Sequence, residues 1–221
     1  MRLNRYIAQA TGLSRRAADA AISAGRVLVD GQPPQLGQPV QPGQQVTLDG
    51  QKLSAQTTTQ TIMLNKPAGY VCSRDGQGSK TIYDLLPETY HHLKPVGRLD
   101  KDSSGLLLLT SDGDLAHKLT HPSFQKAKVY GIRLNHTLSP ADFETITKTG
   151  VPLEDGLSKL GLDPANNSNT QWRITMHEGR NRQIRRTFET LGYRVKTLHR
   201  THFGPYALGT LASGRYKACA P

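Results

Sequence analysis

One stretch of the sequence decides the fold of the larger part of the chain, and it reads Pro95-Val96-Gly97-Arg98-Leu99-Asp100-Lys101-Asp102-Ser103-Ser104-Gly105-Leu106-Leu107-Leu108-Leu109-Thr110. An arginine and two acids precede a purely apolar run at 106–109, which predicts a charged loop followed by a buried strand or helix. Gly97 and Gly105 bracket the charged part, and turn residues follow the apolar run. Loops held by rigid elements often carry catalytic or binding residues, so this loop is a candidate functional site. The alternative is that it is an ordinary surface turn with solvated charges.

The order of residues in this stretch favours a chemical role. Gly-Arg-Leu-Asp at 97–100, followed by Asp-Ser-Ser-Gly-Leu-Leu-Leu-Leu-Thr-Ser-Asp-Gly at 102–113, resembles the catalytic-aspartate motif of the bacterial ribosomal-RNA pseudouridine synthases of the RsuA/RluB type. The resemblance implies that Asp100 is the catalytic residue. We expect Arg98 to fill the gap left by a flipped nucleotide or to hold phosphate.

Length, net charge, apolar content and cysteine count limit the classes of protein to which this chain can belong. The 221 residues have a formal charge of +11, which suits a polyanionic partner such as nucleic acid or an anionic membrane face. No stretch is long and apolar enough for a membrane anchor, and the first residues lack the apolar core of a signal peptide, so we expect a cytoplasmic protein. Two cysteines, Cys72 and Cys219, give neither a disulfide framework nor a zinc cluster.

The first 50 residues predict a small α+β module. Helices are expected over 2–9 and 14–24, with Ser14 as N-cap and Gly25 just past the end of the second helix. A short alternating strand from Arg26 leads to Asp30-Gly31, a hairpin signal, and a second short strand at 45–48 ends at Asp49-Gly50.

Basic residues suggest a use for this module. Two arginines, Arg15 and Arg16, lie in the first turn of the second helix, where they disfavour the helix itself but can join its N–H groups in holding phosphate. The alternative is a solvated basic face. The order Ser-Arg-Arg-x-Ala-Asp, Gly-Arg-Val-x-Val-Asp-Gly and Val-x-Pro-Gly-Gln-x-Val resembles the S4-like RNA-binding module, which implies that Arg5, Arg15, Arg16 and Arg26 contact RNA backbone.

The chain is expected to divide after this module. Residues 51–60 are polar, rich in threonine and without periodicity, which predicts a linker. We therefore expect an RNA-binding domain over 1–50, a linker over 51–60 and a catalytic domain over 61–221.

Two further patterns open the second domain. Leu-Asn-Lys-Pro-x-Gly-Tyr-Val-Cys-Ser, which begins at Leu64, follows a predicted strand at 61–66 and resembles the opening motif of the same enzyme family. A lysine after a strand is most often solvated, so Lys66 receives no chemical role. Lys128-Val129-Tyr130 lies in a strand predicted over 126–134 and resembles the family's Lys-x-Tyr, which implies that Tyr130 packs against the target base. The alternative is a half-buried strand tyrosine.

The last motif combines a helix with dense positive charge. Ile184, Phe188 and Leu191 have helical spacing, and Gly192 ends the helix. Glu-Gly-Arg-Asn-Arg-Gln-Ile-Arg-Arg at 178–186, followed by Val-Lys-x-Leu-x-Arg and Phe-Gly-Pro, resembles the family's third motif. The resemblance implies that Arg185 is a partner of the catalytic aspartate and that Leu198 packs near the base. The remaining arginines of this dense basic tract are assigned to substrate binding, and they are Arg180, Arg182 and Arg186.

Together these resemblances imply an α+β fold class. The S4-like module would precede a pseudouridine synthase domain whose largely antiparallel mixed sheet is flanked by helices and loops. Local patterns add a helix that begins at Ser139-Pro140 and runs to Thr149, and a strand over 171–177.

Other chemistries have weaker support. His117 and His121 have the spacing of a helical zinc pair, but no third ligand stands at a familiar distance, so no metal is expected. The segment 76–81 lacks the spacing of a nucleotide-binding phosphate loop, and no hydrolase Gly-x-Ser-x-Gly is present.

The implied reaction breaks the C1′–N1 bond of a uridine, turns the base and rejoins it through C5. No redox change occurs, so no cofactor is expected. Asp100 fits as a nucleophile or as a base at the ribose, and a neighbouring guanidinium such as Arg185 would favour its charged form.

The expected partner is ribosomal RNA or a pre-ribosomal particle, with no membrane, and the protein is expected to be a monomer. The alternative is a non-catalytic RNA-binding or ribosome-assembly protein.

Overall fold

A computed structural model describes residues 1–54, 59–166 and 168–219. The chain divides into two compact units, Met1–Thr59 and Gln60–Pro221. Among the helices within the described ranges, none is both long enough and apolar enough to cross a membrane.

The first unit contains two helices and a three-stranded antiparallel sheet. Its elements in chain order are α1 (Leu3–Thr11), α2 (Arg15–Ser23), β1 (Val27–Val29), β2 (Val46–Leu48) and β3 (Gln51–Lys52). A core that includes Leu3, Ile7, Ile22, Val27 and Val46 joins the helices to the sheet.

Local sequence signals account for this unit. The Ser14 hydroxyl accepts a hydrogen bond from the Ala17 N–H, as its predicted N-cap role requires. Asp49 and Gly50 have φ angles of 51° and 78°, and they turn β2 into β3 as a hairpin. The sheet therefore includes Gln51 and Lys52, which the sequence had placed in the linker. The middle of that linker, residues 55–58, lies outside the described residues.

The second unit is built on a nine-stranded mixed sheet. Its strands are β4 (Thr61–Lys66), β5 (Lys94–Pro95), β6 (Ser104–Thr110), β7 (Lys128–Leu134), β8 (Val151–Leu153), β9 (Gly156–Ser158), β10 (Gly161–Pro164), β11 (Gln171–Met176), β12 (Val195–Phe203), β13 (Tyr206–Ala207) and β14 (Tyr216–Ala218), of which β8 and β9 form a separate hairpin. Its helices are α3 (Gly113–Thr120), α4 (Pro140–Glu144), which continues as a π-helical segment over Thr145–Thr149, and α5 (Gln183–Thr190), and short 3₁₀ turns cover Ile82–Leu85, Glu88–Tyr90 and Pro122–Phe124.

The strand order explains where the chemistry-bearing loops meet. The main path runs β10-β11-β7-β12-β6-β4-β14, and only the β12–β6 pair is parallel. β6 is the apolar run of the sequence, and it lies near the middle of the sheet with both faces covered. Leu107 and Leu109 face one core, whereas Leu106 and Leu108 face another. The predicted fold class, α+β with a largely antiparallel mixed sheet, is confirmed.

Candidate active site

The loop that carries Asp100 is short and tightly held. It connects β5 to β6, and the Ser103 N–H donates to the Asp100 carbonyl at 3.1 Å, which closes a turn. At Gly105 the backbone has a φ of 106° and approaches β12 so closely that an added Cβ would lie 2.2 Å from the Arg200 carbonyl oxygen. Only glycine fits at that position, which places the end of the loop directly against β12.

A buried lysine holds this loop from behind. Lys66 ends β4, and its side chain is fully buried. Its Nζ donates to the carbonyls of Ser103 at 2.7 Å, Pro67 at 3.0 Å and Asp100 at 3.1 Å. Burial lowers the pKa of this ammonium. The sequence had left Lys66 without a role, and the structure makes it the anchor of the Asp100 backbone.

A thiol holds the same loop from the side. The Cys72 Sγ donates to the Leu99 carbonyl at 3.3 Å and accepts from the Leu99 N–H at 3.4 Å. Burial raises the pKa of the Cys72 thiol, which keeps it protonated and able to donate. Asp100 thus follows a residue fixed through both backbone polar groups.

Two arginines meet two carboxylates in front of the loop, and we call Asp100, Asp102, Arg182 and Arg185 the loop cluster. The Arg182 guanidinium donates to both Asp102 carboxylate oxygens, at 3.1 and 3.3 Å, and its Nη1 lies 3.6 Å from Asp100 Oδ2. Burial opposes ionisation of Asp102, but the Arg182 hydrogen bond and the charge of Arg185 outweigh it and lower the Asp102 pKa.

Arg185, the predicted partner of Asp100, contacts Asp102 instead. Its Nη1 donates to the Val195 carbonyl at 2.8 Å, and its Nη2 donates to the Asp102 carbonyl at 3.0 Å. Its Nε lies 3.2 Å from Asp102 Oδ2, an ion pair in which the N–H does not point at the oxygen. The arginine nearest to the Asp100 carboxylate in this structure is Arg182, which the sequence assigned to substrate binding.

The start of α5 explains why Arg182 reaches the loop. Arg182 has a φ of 46°, a left-handed conformation that is uncommon outside glycine, and α5 begins directly after it. The Gln183 Oε1 accepts from the Arg180 N–H at 3.2 Å, and its Nε2 donates to Ser158 Oγ at 3.1 Å. A tight turn anchored by Gln183 therefore aims the Arg182 side chain toward the Asp100 loop.

The other two arginines of this tract serve a different carboxylate, and we call Asp155, Arg180 and Arg186 the hairpin cluster. Arg186 Nη2 donates to Asp155 Oδ2 at 2.6 Å, and Arg180 Nη1 donates to Asp155 Oδ1 at 2.9 Å. Arg180 also donates to the Gly156 and Leu157 carbonyls, both at 2.9 Å. Both guanidinium groups hold the β8–β9 hairpin, and their contact with substrate stays a prediction.

A pocket of about 310 Å³ opens beside the loop cluster. The predicted site residues that line it are Arg98, Asp100, Tyr130, Arg180, Arg182 and Leu198. Tyr130 and Leu198 are each 7% exposed, whereas the Asp100 side chain is 34% exposed. The sequence motifs that carry these residues are far apart in the chain, and the sheet brings them to one cavity of ligand-binding size.

A larger groove of about 950 Å³ adjoins the pocket and shares five residues with it, Thr120, Lys128, Met176, Gly179 and Arg180. Its cations are Lys126, Lys128, Lys159 and Arg180. Burial lowers the pKa of Lys128, and the charge of Arg200 lowers it further. A basic groove next to the pocket is suited to a polyanion.

The predicted RNA-binding arginines of the first unit differ in their surroundings. Arg15 and Arg16 are exposed in the first turn of α2. Arg26 instead forms an ion pair with Asp49, with Nε–Oδ1 and Nη2–Oδ2 distances of 2.8 and 2.5 Å. Arg5 is half-buried.

The histidine pair considered as a zinc site forms an aromatic cluster. The rings of His117 and His121 lie 4.8 Å apart, and Phe124 packs against His117 edge-on at 5.7 Å. Within residues 1–54, 59–166 and 168–219, no three His, Cys, Asp or Glu side chains are grouped as metal ligands.

Family models match both units. Residues 60–190 match the RNA pseudouridylate synthase family, and residues 1–46 match the S4 domain. An uncharacterized RNA pseudouridine synthase of Aquifex aeolicus is 35% identical over 98% of this chain and 89% of its own length. The ribosomal large subunit pseudouridine synthase B of Escherichia coli K12 is 35% identical over 94% of this chain and 75% of its own length.

The counterpart from Pseudomonas aeruginosa, also called ribosomal large subunit pseudouridine synthase B, is 37% identical over 98% of this chain, which spans 58% of that relative. A crystal structure of a pseudouridylate synthase has a TM-score of 0.69 and 29% identity, covering 100% of this chain and 96% of its own. The similarity therefore extends over both units.

Proposed function

The chain belongs to the RNA pseudouridylate synthase family, and on that premise we propose that it isomerises a uridine of large-subunit ribosomal RNA through Asp100, without a cofactor. The observation that carries the proposal is the position of the Asp100 carboxylate. It lines a pocket together with Tyr130 and Leu198, lies 3.6 Å from Arg182, and keeps 34% of its side chain exposed. The names of the Escherichia coli and Pseudomonas aeruginosa relatives support the choice of large-subunit RNA.

The reaction needs one ionised carboxylate and no electron carrier. The C1′–N1 bond of the target uridine breaks, the uracil turns, C5 bonds to C1′, and a proton leaves C5 while one is taken up at N1. Substrate and product are isomers, so nothing is oxidised or reduced. Asp100 acts at the ribose, either as nucleophile at C1′ or as the base that removes the C2′ proton. In the first case the bond between Asp100 and C1′ breaks as C5 bonds to C1′, and in the second the protonated Asp100 returns its proton to C2′.

The loop cluster supports a well-placed Asp100. The Arg182 guanidinium lies 3.6 Å from the Asp100 carboxylate and orients it by electrostatic attraction. Asp102 binds Arg182 through two oxygens and thereby fixes its guanidinium. Lys66 fixes the Asp100 backbone, so both sides of the 3.6 Å contact are held.

Tyr130 and Leu198 form the base-binding wall of the pocket. Both are buried and lie on neighbouring strands, β7 and β12, whose register places Ile132 opposite Leu198 and Tyr130 opposite Arg200. Stacking of an aromatic ring on a base contributes about 1–3 kcal/mol. That energy offsets part of the few kcal/mol that extrusion of a base from a stack costs.

Cations of the pocket and of the adjoining groove bind the RNA backbone. Arg98 lines the pocket and is exposed, and Lys126 and Lys159 line the adjoining groove. The exposed Arg15 and Arg16 of the first unit add further phosphate contacts beside the N–H groups of α2. These contacts supply affinity that depends on salt and not on base identity.

The test uses the full-length protein with large-subunit and small-subunit rRNA transcripts. We expect one uridine of the large-subunit transcript to become pseudouridine, detected by chromatography of the nucleosides after digestion, with no cofactor added. Preference for the small-subunit transcript would contradict the substrate assignment. Absence of pseudouridine in both transcripts, and also in large-subunit ribosomal RNA stripped of its proteins, would contradict the activity.

A further inference from the structure

A buried arginine, the last residue of the Val-Lys-x-Leu-x-Arg motif and without a role assigned from the sequence, forms part of the pocket wall. Arg200 lies in β12 and is 2% exposed. Its Nε donates to the Leu106 carbonyl at 2.8 Å, and its guanidinium carbon lies 4.8 Å from the centre of the Phe203 ring. Its Nη2 is buried and has no hydrogen-bond partner in the part of the chain that the structure describes.

This cation also lacks a carboxylate. The acids of the loop cluster pair with Arg182 and Arg185, and no carboxylate of the described ranges lies within 4 Å of Arg200. A buried charge costs several kcal/mol unless an opposite charge and hydrogen bonds compensate it. One carbonyl and one aromatic face compensate Arg200 only in part, so the pocket has a positive charge ready for an anion.

The strand register places Arg200 beside the base-binding wall. Arg200 is the direct cross-strand partner of Tyr130, so their side chains share one face of the sheet. Leu198, two residues earlier in β12, lies on the same face. The close approach of Gly105 to the Arg200 backbone fixes this part of β12, and the Nε–Leu106 bond fixes the guanidinium.

We propose that Arg200 stabilises the uracil anion that forms when the C1′–N1 bond breaks. The proposal rests on the function proposed above. When that bond breaks, its electron pair stays on N1, and the negative charge spreads over N1, O2 and O4 of the ring. The charge is present whether Asp100 attacks C1′ or removes the C2′ proton. It is consumed when C5 bonds to C1′ and N1 takes up a proton.

The surroundings of Arg200 favour a uracil anion over a phosphate. Phe203, Leu198 and Ile184 line the same pocket, and a planar, delocalised anion suits an apolar wall better than a strongly hydrated phosphate does. An exposed cation is available to phosphate at the same pocket, namely Arg98. A fixed, buried cation beside charge that develops during the reaction is the arrangement that accelerates a chemical step.

The experiment compares Arg200→Gln and Arg200→Lys with wild type on two RNAs, one with uridine and one with 5-fluorouridine at the target. Fluorine withdraws electrons and stabilises the uracil anion, so the fluorinated substrate needs less help from the protein. The rate of C1′–N1 cleavage is measured in single turnover, and the RNA dissociation constant is measured at two salt concentrations. Thermal melting verifies folding, and Arg133→Gln, an exposed arginine of β7, controls for loss of one charge.

We expect Arg200→Gln to slow cleavage of the uridine RNA by about 10²–10³-fold, the scale of one lost oxyanion donor. The loss should shrink at least about tenfold on the 5-fluorouridine RNA, Arg200→Lys should recover part of the rate, and binding should stay within about threefold.

Three outcomes would overturn the assignment. Equal losses on both RNAs would mean that Arg200 acts only on structure. Weaker binding with a salt slope shallower by about one unit would mean a phosphate contact. Cleavage by both variants at the wild-type rate would mean no role. Failure of the wild-type protein itself to react with either RNA is distinct, because it would overturn the proposed function and this inference with it.

Discussion

The arginines of the loop cluster and of the hairpin cluster all lie within the same seven residues, 180–186, yet the two clusters differ in how closely arginines contact their carboxylates. In the hairpin cluster a single acid, Asp155, receives two guanidinium groups at 2.6 and 2.9 Å. In the loop cluster the close contacts go to Asp102, and Asp100 keeps only a 3.6 Å approach to Arg182. A carboxylate that is oriented but incompletely paired is free to react, whereas one saturated by two arginines is structural.

Among the arginines of the two clusters, the largest effect should come from removing the cation nearest to Asp100. We expect Arg182→Gln to lower the single-turnover rate of pseudouridine formation by about 10²-fold at saturating RNA, because the Asp100 carboxylate loses the cation that orients it. Arg186→Gln, which removes a cation from the hairpin cluster, should change the rate by less than about threefold. Similar losses in both variants would erase the distinction between the clusters.

Arg185→Lys should have the next largest effect, about tenfold on the same rate. Lysine keeps the charge but lacks the planar guanidinium whose two separate Nη groups reach the Val195 and Asp102 carbonyls, so the loop that carries Asp100 loosens. RNA affinity and its salt dependence should remain unchanged. A variant that reacts at the native rate would show that Arg185 does not position the loop, and a change in salt slope would indicate a phosphate contact instead.

The hairpin cluster should matter to stability and little to chemistry. We expect Asp155→Asn to lower the melting temperature by about 2–4 °C, because its ion pairs are partly exposed, and to leave the single-turnover rate within about threefold. Glu144→Gln, which breaks an exposed pair with Lys148, is the matched control and should have a smaller effect on melting. A rate loss well above about threefold, together with only the expected change in melting temperature, would place Asp155 in the active site.

The smallest effect concerns pH. The pKa of Asp102 is lowered in the folded protein, so its ion pairs contribute stability above the ordinary carboxyl pKa and lose it as the pH falls through the folded value. Between pH 5 and pH 3, the melting temperature of the wild-type protein should therefore fall slightly more than that of Asp102→Asn. This pH range includes the usual carboxyl pKa of about 3.9. Parallel curves for the two proteins would contradict this contribution.

Local signals in the sequence predicted much of the fold because they depend on neighbouring residues. The Ser14 cap, the Ser139 cap and the amphipathic α5 appear where the sequence placed them. The hairpin at Asp49-Gly50 was missed as a hairpin because the strand after it, Gln51–Lys52, has only two polar residues. The helix from Pro140 changes to a π-helical segment at Thr145, which residue spacing does not reveal.

The candidate site was predictable in part of its members but not in its pairings. Asp100, Tyr130 and Leu198 line one pocket, whereas Arg185 and Arg186 do not, and the roles of all five stay predictions. Which arginine faces Asp100 depends on the left-handed turn at Arg182, a long-range outcome of packing. The role of Lys66 stayed hidden because its partners are backbone carbonyls, which leave no mark in the sequence. A clue was present, since a lysine ends a strand whose other members are mostly apolar.

The central claim is that Asp100 carries the reaction, and Asp100→Asn tests it most directly. The substitution is nearly isosteric and removes only the ionisable carboxylate. The account predicts a loss of at least about 10³-fold in single-turnover pseudouridine formation, with RNA affinity within about threefold of wild type. Turnover at the native rate by the asparagine variant would contradict the account.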